Sequence, residues 1–287
     1  MGISHATENR MPAIHDNELV DFLQWALPKM GYRWPGFRKV RGQVKSCISG
    51  RLEELGIGGL GEYRRRLKED RCEWERLDVC CRITISRFYR DRKTWDGLRH
   101  EVLPELASAA RGEGREVLQA LSIGCASGEE PYTLRLCWEL DEERPWEGLG
   151  LEISAFDAGD HMVERARAAR YPWGTLKELP EGWVERAFDP VDGEYELRER
   201  FRYGVSFFVA DLREWGPGED RCFDVVFCRN LAFMYFDEAG REETLERLAR
   251  WIRPGGALVV GNRDLVPECG AFQRDTGWAA PFVYMHV

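Results

Sequence analysis

The chain has 287 residues, 44% of them hydrophobic and 32% charged. These are the proportions of a globular protein that buries a sizeable core, and they argue against a disordered chain and a membrane span, while the length makes a long solenoid unexpected. No apolar run approaches the roughly 18 residues of a spanning helix, so membrane insertion is not expected. The net charge of −9 hides an asymmetry, because residues 36–93 hold 16 Lys+Arg against 9 Asp+Glu, a local +7 that leaves −16 on the rest. Regions of opposite sign point to surfaces with different partners.

The length suits two domains. Met1 to Ile14 mixes His5, Glu8, Asn9 and Arg10 with apolar residues, and Ala6 stands where a myristoylation signal needs Ser or Thr, so export and lipidation are not expected. Nine cysteines at irregular spacings, with no C-x-x-C pair and only five histidines, read as reduced thiols of a cytoplasmic protein with no metal site.

Leu19, Phe22, Leu23, Ala26 and Leu27 fall at helical spacing after Asp16 or Asn17 as a cap. Val44, Ile48, Leu52 and Leu55 repeat every three or four residues until Gly56, and amphipathic stretches follow at Leu60 to Leu67 and Trp74 to Val79. Four short helices with Gly-rich joints predict an all-α domain over residues 1–80, followed by a linker over 81–115. Arg38-Lys39-Val40-Arg41 and Arg64-Arg65-Arg66 lend the helices a basic face, which suits an acidic protein or a nucleic acid, or is simply solvated.

From residue 116 short apolar runs alternate with helical ones, the pattern of an α/β doubly wound parallel sheet. The predicted strands are Val117 to Ile123, Leu151 to Phe156, Val205 to Val209, Phe223 to Cys228 and Ala257 to Val260, with a last pair near Ala271 to Arg274 and Phe282 to His286. The predicted helices are Pro131 to Leu140, Asp160 to Ala169 and Glu238 to Trp251. Ligands of such sheets sit at the carboxyl ends of the strands. There the first strand meets Gly124-Cys125-Ala126-Ser127-Gly128-Glu129-Glu130-Pro131. Its small residues allow a tight turn, but it lacks the Lys-Ser/Thr of a P-loop and carries acids where a pyrophosphate wants neutral or positive groups. Glu129 and Glu130 favour a nucleoside with a positive centre such as S-adenosylmethionine. Asp157 ends the second strand, where it either grips ribose hydroxyls or, like Asp160, caps the next helix. Asp211 and Leu212 follow the third strand, placed to present a carboxylate and an amide to an adenine edge; Arg229 and Asn230 follow the fourth. Arg253-Pro254-Gly255-Gly256 reads as a plain turn.

Three segments together resemble a known family, the CheR-type chemotaxis-receptor methyltransferases, which are protein-glutamate O-methyltransferases. They are Gly124 to Tyr132, similar to G-x-S-x-G-E-E-P-Y; Phe223 to Asn230 followed by Tyr235-Phe236-Asp237; and Phe88-Tyr89-Arg90-Asp91. The resemblance runs from about Asn17 to the end. It implies a class I S-adenosylmethionine-dependent methyltransferase fold over 116–287, an antiparallel insertion at 172–204, and a CheR-like helical domain that engages chemoreceptor helices. The family's N-x-T-x-F-F-R reads here Thr84 to Arg90, so the 81–115 linker would contact the cofactor. Carried over residue by residue, the cofactor-binding set is Thr84, Ser86, Arg90, Gly124, Gly128, Glu130, Asp157, Asp211, Leu212, Arg229 and Asn230, and Arg90 and Tyr235 are the catalytic pair. The alternative for Arg90 is an ion pair with Asp91 or another nearby acid.

The chain departs from the family at two places bordering the acceptor side. Four residues rather than three separate Asn230 from Tyr235, and the customary G-H-S-E reads Gly261-Asn262-Arg263-Asp264. Asp211 also stands where the family often has Asn. In the insertion, Glu194 to Arg198 and Phe201 to Tyr203 read as edge strands, and Trp173 and Trp183 as packing residues more than recognition residues. Other readings are the same fold acting on a small molecule or another side chain, and a non-catalytic S-adenosylmethionine-binding module. A nucleic-acid partner rests on the +7 region alone and is disfavoured.

Overall fold

The computed structural model describes residues 14–218, 222–274, 277–278 and 280–287. Nearly all of the Met1 to Ile14 segment judged for export and lipidation lies outside them. The chain divides into two compact units, Met1–Ile83 and Thr84–Val287.

The first unit is helical: α1 (Asp16–Ala26), a 3-10 turn (Leu27–Met30), α2 (Trp34–Phe37), α3 (Arg41–Leu55), α4 (Leu60–Glu69) and α5 (Cys72–Cys81). His15 rather than Asp16 or Asn17 takes the cap position of α1, and Glu18 accepts its N–H at 3.3 Å. Gly56, with φ of +65°, closes α3 while the Ile57 N–H reaches the Leu52 carbonyl at 2.9 Å, a turn that glycine adopts without steric cost. Leu19, Leu23, Val44, Ile48, Leu52 and Leu77 are fully buried, and Phe22 stacks on Tyr63 with centroids 5.8 Å apart. At the α3/α5 contact Arg51 binds Glu73 through Nε at 3.0 Å and Nη2 at 2.9 Å, and Glu73 also accepts the Tyr63 hydroxyl at 2.8 Å. That bidentate pair satisfies a carboxylate almost without water.

The same contact corrects the expectation of nine reduced thiols. Cys47 of α3 and Cys80 of α5 face each other with Cα atoms 5.4 Å apart and are joined in a disulfide. The facing of two helices, which sequence spacing does not reveal, brings them together. Much of the unit's positive charge is also locally answered. Lys45 and Arg41 lie at 3.2 and 3.5 Å from Asp16, Arg66 is 2.8 Å from Asp70, and Arg64 lies over the Trp25 ring.

The second unit opens with an extended segment and then helix where a linker was expected: α6 (Arg92–Gly97), a π-helical turn (Leu98–Val102) and α7 (Leu103–Gly112). Trp95, Leu98, Val102, Leu103 and Ala107 from this run are buried in the main core. The sheet strands are β1 (Val117–Ile123), β2 (Gly150–Asp157), β6 (Val205–Val209), β7 (Phe223–Cys228), β8 (Ile252–Val260), β9 (Phe272–Gln273) and β10 (Val283–His286), in the order β6-β2-β1-β7-β8-β10-β9. All pair in parallel except β10, which runs antiparallel to β8 and β9. Helices α8 (Glu129–Leu140), α9 (Asp160–Ala168) and α13 (Glu238–Trp251) make the crossovers, with a short α12 (Ala232–Tyr235) before α13. This is the α/β doubly wound order that the sequence pattern and the resemblance imply. β7 is buried along its whole length, as a central parallel strand must be. Arg253 to Gly256, read as a turn, instead bulges inside β8: Phe223 pairs with Ile252, but Val225 already pairs with Ala257.

Between α9 and β6 lie β3 (Arg170–Tyr171), α10 (Trp173–Leu176), α11 (Trp183–Ala187), β4 (Phe188–Val191) and β5 (Glu194–Leu197), the strands forming an antiparallel sheet in the order β3-β5-β4. Phe201 to Tyr203 is not a strand. A 3-10 turn over Glu199–Phe201 runs into a bend there, and Phe201 is buried while Tyr203 is exposed. Trp183 packs in the core, whereas Trp173 is 48% exposed beside Tyr195.

Candidate active site

The strand order reverses between β1 and β7, and the crevice beyond their carboxyl ends is where a doubly wound sheet takes its ligand. Four segments of the second unit converge there: residues 84–91, the β1/α8 loop, the β7/α12 loop and the turn after β8.

The β1/α8 loop is bent by Gly124 (φ +69°), Ala126 (φ +47°) and Gly128 (φ +89°). A Cβ on Gly128 would lie 2.9 Å from the Ala166 Cβ, so helix α9 leaves room only for glycine. Asp157 fastens this loop: its carboxylate accepts the N–H of Ala126 and that of Gly159, each at 2.9 Å. Glu129 turns inward to the Ser127 hydroxyl, with Ser86 also on its carboxylate, and is 2% exposed. Glu130 accepts the Ser122 hydroxyl at 2.8 Å and Arg229 Nη1 at 3.1 Å. Burial pushes both glutamates above the usual carboxylate range, against the pull of these partners.

Arg229 is the hub of the site. Besides Glu130, its Nη2 donates to the Asp91 carboxylate at 2.8 Å and to the Arg90 carbonyl at 2.9 Å, and its guanidinium lies 5.7 Å from the centre of the Trp95 ring. Asp91 further accepts the Asn262 amide at 3.0 Å. Tyr89 (φ +55°), Asp91 (φ +66°) and Asn230 (φ +55°) hold left-handed backbone beside this hub. Such conformations in non-glycine residues persist only where surrounding bonds enforce them, and they cluster at working sites.

Because Arg229 takes Asp91, Arg90 does not pair with its neighbour. The Arg90 Nη1 donates to the Ile85 carbonyl at 3.0 Å, and among the described residues no carboxylate lies within ion-pair distance of its guanidinium. Burial and the nearby Arg229 and Arg87 lower its pKa, Asp91 and Tyr235 opposing. Tyr235 is 5% exposed at the end of α12, and burial pushes its phenol up to about 12, with Arg90 and Arg263 pulling down and Asp264 pushing up. The phenol is therefore a hydrogen-bond donor at neutral pH. In the turn after β8, Asp264 accepts the N–H of Gly261 at 2.6 Å and that of Asn230 at 2.9 Å, so one carboxylate staples the β7 and β8 ends together. Burial pushes Asp264 up to about 6, held down in part by those N–H groups, Arg229 and Arg90.

Of the residues named from the sequence, Ser86, Arg90, Gly124, Gly128, Glu130, Asp157, Arg229, Asn230 and Tyr235 lie on the four converging segments or at the β2 end they enclose. Thr84 is half-buried two residues before Ser86. Asp211 and Leu212 follow β6, beyond β2. The Asp211 carboxylate receives the Arg213 N–H and Nε at 2.9 Å each, and Leu212 is buried with its carbonyl accepting Arg247. Ser122 and Trp95 were not singled out, while Asp91 was named only as an ion-pair partner for Arg90 and Asn262 only as part of the departure after the fifth strand. Asp91 lay inside the quoted Phe88 to Asp91 segment, whereas nothing local marks Ser122.

The five acids Glu129, Glu130, Asp157, Asp91 and Asp264 outnumber the four arginines of these segments, Arg87, Arg90, Arg229 and Arg263. An acid-rich lining with backbone N–H groups and, among the described residues of these segments, no lysine fits a cationic nucleoside cofactor and opposes a polyphosphate.

The family profile described as "CheR methyltransferase, SAM binding domain" matches residues 84–276. The chemotaxis protein methyltransferase of Listeria monocytogenes is 30% identical over 206 residues, 72% of this chain and 74% of the relative. Chemotaxis protein methyltransferase 1 of Pseudomonas aeruginosa is 30% identical over 223 residues, 76% of this chain and 80% of the relative. A probable biofilm formation methyltransferase, WspC, of Pseudomonas putida is 29% identical over 245 residues, covering 84% of this chain and 56% of the relative.

Proposed function

The chain belongs to the CheR methyltransferase family, and from that premise we propose that this S-adenosylmethionine-dependent enzyme esterifies glutamate side chains of a protein, with the helices of a chemoreceptor as the acceptor. The observation that carries the reading is Arg90, a half-buried guanidinium that donates to the Ile85 carbonyl and, among the described residues, pairs with no carboxylate, and whose charge lowers the pKa of the Tyr235 phenol. A carboxylate acceptor is what such a vacancy suits, since a guanidinium binds it through two parallel bonds.

The cofactor supplies an electrophilic methyl group. Gly124, Gly128, Glu130, Asp157, Arg229 and Asn230 would hold it, with Thr84 and Ser86 on one flank and Asp211 and Leu212 on the adenine side. A glutamate is already ionised at neutral pH, so the protein need not remove a proton. Its contribution is positioning: Arg90 orients the acceptor carboxylate, Tyr235 donates to it or to the cofactor, and the buried walls exclude water. The basic helices of the first unit supply a docking face for an acidic receptor segment, and the enzyme acts in the cytoplasm.

A second reading has one observation in its favour. Asp264, pushed up to about 6 and near Tyr235, has the pKa of a general base for a hydroxyl or amine acceptor. Labelled cofactor incubated with the full chain and a lysate of the source cells separates the two. Label in protein, released as methanol by mild base, is expected for a carboxyl ester; base-stable label or label in small molecules would move the acceptor to the second reading.

A further inference from the structure

The antiparallel insertion lends the crevice one of its supports. Tyr171, on β3, is fully buried and touches both the β1/α8 loop and the 84–91 segment. Its hydroxyl donates to the Ser127 carbonyl at 2.8 Å and lies 3.2 Å from where a Cβ on Gly128 would stand. Its ring meets that of Phe88 edge to face, with centroids 4.8 Å apart. Burial, reinforced by Glu129, raises the phenol well above its ordinary pKa, so the hydroxyl stays a donor.

The neighbouring bonds run the same way. The Phe88 N–H reaches the Thr175 carbonyl of α10 at 3.0 Å, and Arg87 pairs with Glu178 at 2.7 Å. On the other side the Tyr89 N–H meets the Thr133 hydroxyl of α8 at 3.1 Å, so the segment that carries Arg90 is pinned between the insertion and α8. The loop needs restraint as well, because Ala126 (φ +47°) lies between two left-handed glycines in a shape that persists only where surrounding bonds enforce it. Asp157 holds the loop at the Ala126 N–H, and Tyr171 holds it one residue on, at the Ser127 carbonyl.

We propose that Tyr171 is a positioning residue for the cofactor: its hydroxyl fixes the Ser127–Gly128 peptide in the binding shape of the β1/α8 loop while its ring fixes Phe88, so that the insertion shapes the cofactor site. The proposal rests on the placement of S-adenosylmethionine in this crevice. Without the hydroxyl the Ser127 carbonyl is free to turn toward water, and the apparent affinity falls with the fraction of chains left in the binding shape. One hydrogen bond, worth about 1 kcal/mol net, sets that fall at up to about fivefold.

The test is calorimetry of the full chain with S-adenosylhomocysteine, the demethylated form of the cofactor, beside hydrogen exchange of the loop amides. Tyr171→Phe keeps the ring and should raise Kd by about three- to fivefold. It should also speed exchange at residues 124–130 in the free protein, with saturating ligand restoring protection. Tyr195→Phe, on the strand paired with β3 but without a loop contact, should leave both readings at wild-type values. A lowered melting temperature with Kd changed by less than about twofold would make Tyr171 a packing residue only and overturn the proposal. An equal rise in Kd for Tyr195→Phe would overturn it too, since general loosening of the insertion would then suffice. Asp157→Ala tests the underlying placement and should weaken binding at least about tenfold, as loss of a charged hydrogen-bonding group does. If Asp157→Ala binds like wild type, the placement of the cofactor in this crevice falls, whatever Tyr171→Phe does.

Discussion

Arg229→Ala removes the single cation that two acids share. The guanidinium is 4% exposed and lies between the side chains of Asp91 and Glu130, which are 18% and 14% exposed. Breaking a buried pair costs about 3–5 kcal/mol, because the partner is left as an uncompensated charge. Here two carboxylates are left, both retaining some contact with water, so a loss of about 3 kcal/mol at pH 7 is expected. The assay is urea unfolding of the Thr84–Val287 unit followed by tryptophan fluorescence, for wild type, Arg229→Ala, Glu130→Gln and the double variant. Burial already holds Glu130 above its ordinary pKa, and losing Arg229 raises it further. An acid with a raised folded pKa favours the folded state below its unfolded pKa, and that preference is lost as pH rises through the folded value. The deficit of Arg229→Ala should therefore shrink as the pH is lowered toward 5, and it should fall by about 1–2 kcal/mol in the Glu130→Gln background, where one orphaned charge is gone. A deficit below about 1 kcal/mol, or one indifferent to Glu130→Gln, would show that water compensates these carboxylates and refute the reasoning.

Arg90→Ala should leave the melting behaviour near wild type while lowering turnover at least about tenfold, a barrier increase of about 1.4 kcal/mol; unchanged turnover removes Arg90 from the mechanism. Gly128→Ala, which forces a left-handed alanine against the Ala166 Cβ at 2.9 Å, should cost about 2–3 kcal/mol in urea unfolding and weaken cofactor binding in calorimetry. Asp264, at about 6 when folded, favours the folded state below pH 4 and loses that preference as pH rises through 6, about 3 kcal/mol in all. Asp264→Asn keeps an oxygen for the two N–H groups and should flatten stability against pH across that window; an unchanged slope would contradict the raised pKa. With Cys47 and Cys80 bonded, thiol titration of the denatured, unreduced chain should find seven thiols, and nine after reduction. Closure across 33 residues implies that reduction lowers the stability of the helical unit by about 3–4 kcal/mol.

The strands of the central sheet were legible because their signal is local. Val117 to Ile123, Val205 to Val209 and Phe223 to Cys228 are apolar runs bounded by turn residues, and the structure begins and ends β1, β6 and β7 at those residues. Helix α13 is likewise bounded by Asp237, whose carboxylate accepts the Gly240 N–H at 2.9 Å, and by the strand that follows Trp251. Residues 92–112 carried a helical period too, in Trp95, Leu98, Val102, Leu106 and Ala110, but Gly97 and Pro104 interrupt it as breakers. The chain absorbs both: the π-helical turn Leu98–Val102 lies between them, and Pro104 falls in the first turn of α7, where its missing N–H costs nothing.

The amino-acid sequence by itself determined the doubly wound order of elements and the acidic glycine loop, since period, turn chemistry and short motifs depend on neighbours along the chain. Only the tertiary structure decided the pairings. Arg229 meets Asp91 across 138 positions, Asp264 meets Asn230 across 34, and Cys47 meets Cys80 across 33. An ion pair or a disulfide requires a few ångströms of proximity, and no spacing rule along the chain encodes which distant segments will supply it. Asp91 stands next to Arg90, yet it is held by Arg229, and that choice is what leaves Arg90 with no ion pair among the described residues.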